Sequence, residues 1–464
     1  MKNNSLYLFA IITLLITGNA MANITLPAFF ADNMVLQRNT TVKIWGWANP
    51  KEEITLTASW IKDTYTTTGN NEAYWEIEIP TTKAGGPYTI NIKGYNQVTL
   101  NNVMLGEVWL CSGQSNMEWT ASAGLDNAEA EIAAANYPNI RLFTVGKMSS
   151  EYPQLDVKGN WQVCTPETMQ YFSAVGYFFA KTLSEDLKNV PIGVINSSWG
   201  ATAAEVWIPA NYIANDHILA EAATKIPQES EWCPTKPGRT YNAMIAPLAG
   251  FKIAGVLWYQ GETNANSAVY NKTLGGLIES WRTAWADDFS FYYVQIAPFK
   301  YEGGEYQGVI VRDAQRRLLN ESTNTGMVVI SDVSTNEDIH PRNKKPVGER
   351  LANLALSKNY KKDKGIVSSP LFESATANGK KITVHFKNNE GLHTKNKKVT
   401  LFEVAGEDGV FHPAKAKLKG DTIIVSSKEV KTPKKIRFAW HNVAQADLFN
   451  KAGLPASSFM AQIK

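Results

Sequence analysis

The sequence has few of the residues that build metal, disulfide and cofactor sites. Its 464 residues include three cysteines and six histidines, with no H-E-x-x-H or C-x-x-C pattern and no glycine-rich phosphate loop after any predicted strand. The sequence therefore predicts no metal and no cofactor. Three cysteines are also too few for a disulfide scaffold. Cys111 lies inside an apolar run, so we expect it to be a buried, unreactive thiol.

Strong charge and long apolar runs are also lacking. The net charge is +3 and the pI is about 8.4, which gives no reason to expect a nucleic-acid partner. No run after residue 22 predicts a membrane span. At the N-terminus, Lys2 precedes a short apolar segment (6–16), and Ala20-Met21-Ala22 fits a signal-peptidase site. We therefore predict that residues 1–22 are a signal peptide and that the protein is exported, to the periplasm or beyond the cell.

Hydrophobic patterns divide the rest of the chain into three parts. Residues 23–103 contain short segments in which apolar and polar residues alternate, which predicts a β-sandwich. In residues 104–364, apolar strands alternate with helical patterns, which predicts a parallel sheet covered on both faces. From 365 to 464 the β pattern returns. Segment 215–239 fits neither pattern, and we interpret it as an irregular insertion near the site. The strands predicted in the middle part are 108–111, 191–195, 256–259, 291–294 and 327–330, and the helical patterns lie at 175–187 and 274–281.

A serine follows the first strand of the middle part. Ser115 comes after the apolar run 108–111 and the turn-forming residues 112–114. The C-terminal end of a buried strand is where an open α/β sheet carries its chemistry, so Ser115 is a candidate nucleophile. The alternative is a serine that caps a helix. The α/β-hydrolase elbow requires G-x-S-x-G, and Met117 in place of the second glycine argues against that fold.

A serine nucleophile needs a base, and two histidines lie in the strand–helix part of the chain. His340 is in the loop that follows the last predicted strand, so it should emerge at the same sheet edge as Ser115. His217 lies in a polar segment and reads as a solvated loop residue. We therefore predict that His340 is the general base.

Four segments of the chain resemble one known family. Residues 113–117, Gly-Gln-Ser-Asn-Met, resemble the first block of the SGNH (GDSL-like) hydrolases in the form used by sialate O-acetylesterases. Residues 196–202 resemble the second block, 258–264 resemble W-x-Q-G-E-[ST]-[ND], and 338–341 match the Asp-Ile-His-Pro variant of the base motif. The resemblance runs from about residue 24 to the C-terminus. It implies an α/β fold, with a flavodoxin-like three-layer SGNH hydrolase domain at 104–364, a β-sandwich domain at 23–103 and a β-rich domain at 365–464.

The resemblance also implies catalytic roles. Ser115 is expected to be the nucleophile and His340 the base, with the oxyanion held by the backbone amides of Ser115 and Gly200 and by the side-chain amide of Gln260. Asn264 is the alternative to Gln260. A glycine at position 200 would let the backbone approach the substrate closely, although an ordinary strand-to-helix turn would explain it equally well.

The acid that orients the base is less well defined, because this chain departs from the SGNH pattern D-x-x-H. The residue three before His340 is Glu337, and Asp338 is two before it. We expect Asp338 to orient His340, with Glu337 as the second choice and a backbone carbonyl as the third. Glu262, in the third block, is expected to be a buried carboxylate that holds its loop.

Together these features predict a serine esterase that removes O-acetyl groups from sialic acids through an acetyl-enzyme. The partner would be an O-acetylated sugar, free or glycan-linked, with no nucleic acid and no membrane span. One alternative is an acetylesterase for another glycan such as xylan, and another is a non-catalytic glycan-binding protein. Trp119, Trp199 and Trp207 lie near the blocks and could either stack on a sugar ring or belong to the core.

Overall fold

The computed structural model describes residues 23–188, 190–395, 398–445 and 447–464. The predicted signal peptide (1–22) lies outside these residues. Within them, no helix is long and apolar enough to cross a membrane. The first strands are β1 (Val35–Gln37), β2 (Thr41–Trp47), β3 (Glu53–Ala58), β4 (Thr64–Thr68), β5 (Tyr74–Pro80), β6 (Gly85–Lys93) and β7 (Gln97–Gly113). The strands of the middle part are β8 (Tyr137–Thr144), β9 (Trp161–Cys164), β10 (Ile192–Ser198), β11 (Gly255–Tyr259), β12 (Ser290–Val294) and β13 (Thr325–Val328).

The α-helices found among the described residues all lie in the middle part of the chain. They are α1 (Ser115–Glu118), α2 (Ala128–Ala133), α3 (Pro166–Met169), α4 (Ala174–Asp186), α5 (Ala210–Ala214), α6 (His217–Ala223), α7 (Tyr270–Trp285), α8 (Gln307–Leu318) and α9 (Lys345–Lys358). The two helical patterns predicted from the sequence correspond to α4 and α7.

The N-terminal strands continue directly into the central sheet. Strand β2 pairs antiparallel with β5, and β3 pairs antiparallel with β4 and β6. Residues of β3 alternate as the pattern predicted, with Ile54 and Leu56 buried and the threonines between and after them facing outward. Strand β7 pairs with β6 along its first half and enters the central sheet along its second half. The predicted boundary between residues 103 and 104 therefore falls inside one continuous strand.

The central strands form a large mixed sheet in the order β13-β12-β11-β7-β10-β8-β9. These strands are parallel except for β9, which runs antiparallel to β8. The last strand, predicted at 327–330, is observed at Thr325–Val328. Its pairing with β12 ends at Val294↔Val328. Val329 and Ile330 are buried but extend beyond this ladder.

Helices cover both faces of the sheet. Consecutive residues of a strand point to opposite faces, and here they enter two different cores. Leu110 and Val256 pack in one core with residues of α7 and α8. Cys111 and Leu257 pack in the other core with residues of α4 and α9. Cys111 is a free cysteine, and burial raises the pKa of its thiol, as expected of an unreactive core residue.

Segment 215–239 is not irregular throughout, so that part of the prediction was wrong. Helix α6 begins within it, where the Asp216 carboxylate accepts hydrogen bonds from the Ile218 and Leu219 amides at 2.8 and 3.0 Å. Only Leu219 and Ala222 of this short helix are buried, which leaves too weak a periodicity to recognise. His217 is exposed, as predicted, but lies in the first turn of α6 rather than in a loop.

The C-terminal part contains β sheets with a hydrophobic core of their own. Its sheets have the orders β14-β15-β20-β19 and β18-β17-β21-β23, and a further pair joins β16 to β22. The segment around Val399 and Leu401 is not a regular strand, because Leu401 has a φ of +62°. The strands are β14 (Leu371–Asn378), β15 (Lys381–Lys387), β16 (His393–Thr394), β17 (Phe402–Ala405), β18 (Phe411–Pro413), β19 (Lys415–Lys419), β20 (Thr422–Ser426), β21 (Lys435–Phe438), β22 (Leu448–Phe449) and β23 (Phe459–Gln462).

Candidate active site

Ser115 is placed at the sheet edge by the close approach of two strand ends. Gly113, the last residue of β7, has a φ of +136°, and a Cβ atom there would lie 2.2 Å from the Tyr259 carbonyl oxygen of β11. Only glycine fits this position without moving the backbone. The Gln114 amide then donates to the same carbonyl at 3.1 Å, and α1 begins at Ser115. The half-buried serine is thus presented at the C-terminal end of the strand.

His340 lies next to Ser115. Its Nε2 is 2.8 Å from the Ser115 Oγ, a hydrogen-bonding distance between a base and a nucleophile. The indole ring of Trp119 stacks on the imidazole, with the ring centres 4.6 Å apart and the planes 20° apart. Arg350 of α9 anchors the start of the loop through two hydrogen bonds to Asp332, at 2.8 and 2.6 Å. The structure therefore brings the predicted nucleophile and base together and fixes the ring on one side.

The surroundings of His340 favour its neutral form. Burial lowers the pKa of His340 from its ordinary value, and the nearby Lys344 cation lowers it further. The Asp338 carboxylate acts in the opposite direction and raises the pKa. The balance is a lowered pKa, so the imidazole can accept a proton from Ser115 over a wider range of pH.

Asp338 contacts the backbone of His340 rather than its ring. Its Oδ1 accepts a hydrogen bond from the His340 amide at 2.8 Å. Among the described residues, no hydrogen bond joins this carboxylate to the imidazole, so the geometry differs from that of a triad acid. Glu337, the second choice, is exposed. Asp338 is therefore close enough to influence the charge of His340 and holds the loop through its backbone.

Gly200 lies next to Ser115, and its amide already has a hydrogen-bond partner in this structure. A Cβ atom on Gly200 would lie 3.3 Å from the Ser115 Cβ, which shows how closely the two residues approach. The Gly200 N–H donates to Glu118 Oε2 at 2.7 Å. The other oxygen of Glu118 forms an ion pair with Lys147 at 2.5 Å. A carboxylate thus accepts from the amide that we predicted to hold the oxyanion.

The Gln260 side chain belongs to an internal network, which corrects the geometry that we expected for it. It is fully buried, and its Nε2 donates to the Thr202 carbonyl at 3.1 Å and to Asn264 Oδ1 at 2.8 Å. Both amide hydrogens are therefore used, and the Oε1 accepts from the Tyr270 hydroxyl at 2.6 Å. The Asn264 amide donates in turn to the buried Glu205 carboxylate. Among the described residues, neither side-chain amide donates a hydrogen bond to Ser115, and a role in the oxyanion hole stays a prediction.

Three polar residues are buried close to Ser115 and His340, and one of them, Lys344, could not be recognised from the sequence. Asn116 and Lys344 are buried beside Ser115 and His340. The sequence around Lys344 is a polar run in which nothing distinguishes it from the exposed Lys345. Glu262 is buried, as predicted, and accepts a hydrogen bond from Asn116 at 2.7 Å.

The tryptophans near the blocks have different environments. Trp119 contacts His340, whereas Trp207 is fully buried in the core. Trp199 is half-buried and donates through its indole N–H to the carbonyl of Trp232, a residue that is 78% exposed. Across the described ranges, no group of three or more His, Cys, Asp or Glu side chains is arranged to hold a metal ion.

Comparison with known families shows which family the chain belongs to. The family described as carbohydrate esterase, sialic acid-specific acetylesterase, matches residues 105–357, which is more than half of the chain. The chain belongs to this family. The match begins in β7 and ends in α9, so it includes both Ser115 and His340. As a member of this esterase family, the protein is a carboxylic ester hydrolase, and the resemblance inferred from the sequence is confirmed.

Individual relatives agree with the family assignment. The chain is 28% identical to human sialate O-acetylesterase over 417 residues, covering 82% of this chain and 79% of the human protein. It is 31% identical to the mouse sialate O-acetylesterase over 389 residues, covering 70% and 71% of the two chains. The crystal structure of a carbohydrate acetylesterase from Xanthomonas citri superposes with a TM-score of 0.86 at 35% identity, covering 95% of this chain and 99% of that one.

Proposed function

We propose that this esterase removes O-acetyl groups from sialic acids through an acetyl-enzyme intermediate. The observation that carries the proposal is the 2.8 Å contact between Ser115 Oγ and His340 Nε2 in a chain of the sialic acid-specific acetylesterase family. The human and mouse relatives, which align over most of their length, are named sialate O-acetylesterases.

The geometry supports a two-step mechanism. In the first step, Ser115 Oγ attacks the acetyl carbonyl carbon while His340 Nε2 takes its proton. The tetrahedral intermediate then collapses, and His340 gives the proton to the departing sugar oxygen. In the second step, His340 takes a proton from water, which attacks the acetyl-enzyme. Release of acetate returns that proton from His340 to Ser115.

The negative charge of each tetrahedral intermediate needs donors. We assign the backbone amides of Ser115 and Gly200 to this role, because both lie beside the Ser115 side chain. The Gly200 amide already binds one anion, the Glu118 carboxylate, at 2.7 Å. For an oxyanion to take this place, Glu118 moves away from Gly200 and keeps its ion pair with Lys147.

Asp338 is the acidic member of the site in this proposal. Its charge raises the pKa of His340 and so stabilises the imidazolium that forms after proton transfer. Its hydrogen bond to the His340 amide fixes the backbone of the base. Gln260 and Asn264 then support the strand end rather than contact the substrate.

The proposal also includes the architecture and the location of the protein. The helices on both faces of the central sheet support a three-layer SGNH hydrolase domain at 104–364, flanked by β domains at 23–103 and 365–464. The Ala20-Met21-Ala22 sequence supports export to the periplasm or beyond the cell, with cleavage after Ala22.

Release of acetate from a panel of substrates tests the function. Purified wild-type protein and Ser115→Ala are compared on O-acetylated sialic acids, on acetylated xylan and on a chromogenic acetyl ester. We expect the wild type to prefer the sialic acids and the variant to release no acetate. Preference for xylan would favour the broader activity in the name of the Xanthomonas citri relative. Binding of glycans without acetate release would contradict the esterase mechanism.

A further inference from the structure

A buried polar cluster lies next to the catalytic pair and has no part in the mechanism described so far. It consists of Lys344 and Asn116, both 0% exposed, and Glu262, which is 6% exposed. The Lys344 ammonium donates to Asn116 Oδ1, and Asn116 Nδ2 donates to Glu262 Oε1 at 2.7 Å. The amide of Asn116 therefore joins a buried cation to a buried carboxylate.

The same amide is also bonded to the loop that carries the base. Asn116 Nδ2 donates a second hydrogen bond, at 2.9 Å, to the carbonyl oxygen of Ile339. Ile339 directly precedes His340, and Asn116 directly follows Ser115. Because both hydrogens and the oxygen of this side chain have partners, its orientation is fixed. One side chain thus connects the backbone of the nucleophile to the backbone of the base.

The charge of the cluster acts on the imidazole. Burial lowers the pKa of Lys344 to about 7 and raises the pKa of Glu262 to about 7. His340 titrates below its ordinary value of about 6.5. The Lys344 cation lowers the pKa of His340, so the cluster acts on the ring through its positive charge. Asp338 opposes this charge, while Ser115 and Trp119, which contact the ring, carry none.

We propose that Lys344 is a positioning residue for the esterase reaction. It orients Asn116, which holds the Ile339 carbonyl and thereby the His340 backbone against Ser115, and its charge keeps the imidazole unprotonated. The proposal rests on the proposed function in that His340 has to be the general base.

A purely structural explanation is weaker. Replacing a buried Lys–Glu pair by apolar residues often leaves the stability of a protein unchanged or raises it. The reason is that both charges of the pair lose their hydration when they are buried. One oxygen of this pair, Glu262 Oε2, has no hydrogen-bond partner among the described residues, which adds to that cost. The bond from Asn116 to Ile339 instead directs the cluster toward the base.

The test compares two adjacent lysines. Lys344→Met removes the buried cation and its hydrogen bond, whereas Lys345→Met removes an exposed lysine, 3.6 Å from Glu131. For Lys344→Met we expect kcat to fall about 10- to 100-fold with little change in KM, because the base is displaced but the substrate contacts are not. The pKa of His340 should rise, since the nearby positive charge is lost. Lys345→Met should resemble the wild type in both measurements.

The pKa of His340 is measured by NMR titration of histidine-labelled protein, with its signal assigned by its absence from His340→Asn. This readout does not depend on activity. If the wild type releases no acetate from any ester, the proposed function fails, while the titration still reports the effect of Lys344. If the wild type is active and folded Lys344→Met keeps the pKa of His340 and kcat, the inference is wrong.

Lys344→Gln provides a second variant in case Lys344→Met does not fold. Glutamine retains an N–H donor for Asn116 but carries no charge, so it should recover part of kcat and still raise the pKa of His340. A loss of thermal stability without any shift of the His340 pKa would show that Lys344 only stabilises the fold. Failure of both variants to fold would lead to the same conclusion.

Discussion

Ser115 and Gln260 follow two neighbouring strands of the central sheet, β7 and β11, and have opposite environments. Ser115 follows β7, is half-buried, and has His340 as its hydrogen-bonding partner at 2.8 Å. Gln260 follows β11, is fully buried, and uses both its amide hydrogens and its oxygen inside the protein. Gln260 directly follows β11 and Ser115 is separated from β7 only by Gln114, and both belong to motifs that resemble the same family.

The difference shows that position at a strand end is not enough to assign a side chain to the chemistry. Such a position brings polar groups to the edge where substrates bind. Whether a group can contact a substrate depends on its remaining hydrogen-bonding capacity, which has to be counted donor by donor. By that count, we propose that the β7 end is the reacting side of the site and that the β11 end is its supporting side.

The largest effect should come from the reacting side. Ser115→Ala removes the attacking oxygen, so we expect acetate release to fall by at least about 10⁴-fold with an unchanged melting temperature. The matched control is Ser112→Ala, in the same strand, whose buried hydroxyl has no hydrogen-bond partner among the described residues. Substantial turnover by rigorously purified Ser115→Ala would contradict the assignment of Ser115 as the nucleophile.

A smaller loss is expected when the charge next to the base is removed. Asp338→Asn should lower kcat about 10- to 100-fold, because the imidazolium loses its stabilising carboxylate while the backbone bond can be kept. It should also lower the pKa of His340, moving the acidic limb of the pH–rate profile to lower pH. Glu337→Gln, an isosteric change at the exposed neighbouring position, is the control. If Glu337→Gln is the more severe change, the acid has the usual D-x-x-H spacing.

The supporting side should respond mainly in stability. Gln260→Leu leaves the Tyr270 hydroxyl and other buried groups without partners, so the free energy of unfolding should fall by about 1–3 kcal/mol. Activity per folded molecule should fall by less than about tenfold, whereas loss of an oxyanion donor costs about 10²- to 10³-fold. Gln295→Leu is the matched control, because Gln295 is also buried and donates to Arg312 and Ser457 away from the site. A selective loss of kcat in Gln260→Leu would instead support the original prediction that Gln260 donates to the oxyanion.

The smallest effect concerns the pH dependence of the wild type. Burial and Lys344 lower the pKa of His340, so the neutral base persists below its ordinary value of about 6.5. We expect kcat/KM to fall with decreasing pH with a midpoint below that value, as the imidazole becomes protonated. A midpoint above 6.5 would mean that Asp338 outweighs the other two influences.

Much of the fold and part of the site could be predicted from the sequence. The apolar runs located β10, β11 and β12, and the position of Ser115 and His340 after two strands predicted their meeting. The continuity of β7 could not be predicted, because its apolar pattern does not show that one strand serves two regions. Helix α6 was missed because only Leu219 and Ala222 of it are buried.

The supporting residues of the site were harder to predict than the reacting ones. Gln260 and Gly200 were placed correctly at strand ends, but Thr202 and Glu118, which accept their hydrogen bonds, come from distant parts of the chain. Lys344 and Lys345 are the same residue type side by side, and only the packing of the fold buries one of them. Hydrogen-bond accounting of this kind needs the tertiary structure.

Covalent labelling tests the central claim most directly, namely that Ser115 and His340 form the reacting pair. The protein is treated with a serine-directed fluorophosphonate, acetate release is followed, and the modified residue is identified by peptide mass mapping. We predict a single adduct on Ser115 that forms in step with the loss of activity and does not form in His340→Asn. Loss of activity with the adduct on another residue, or full activity with Ser115 modified, would contradict the account.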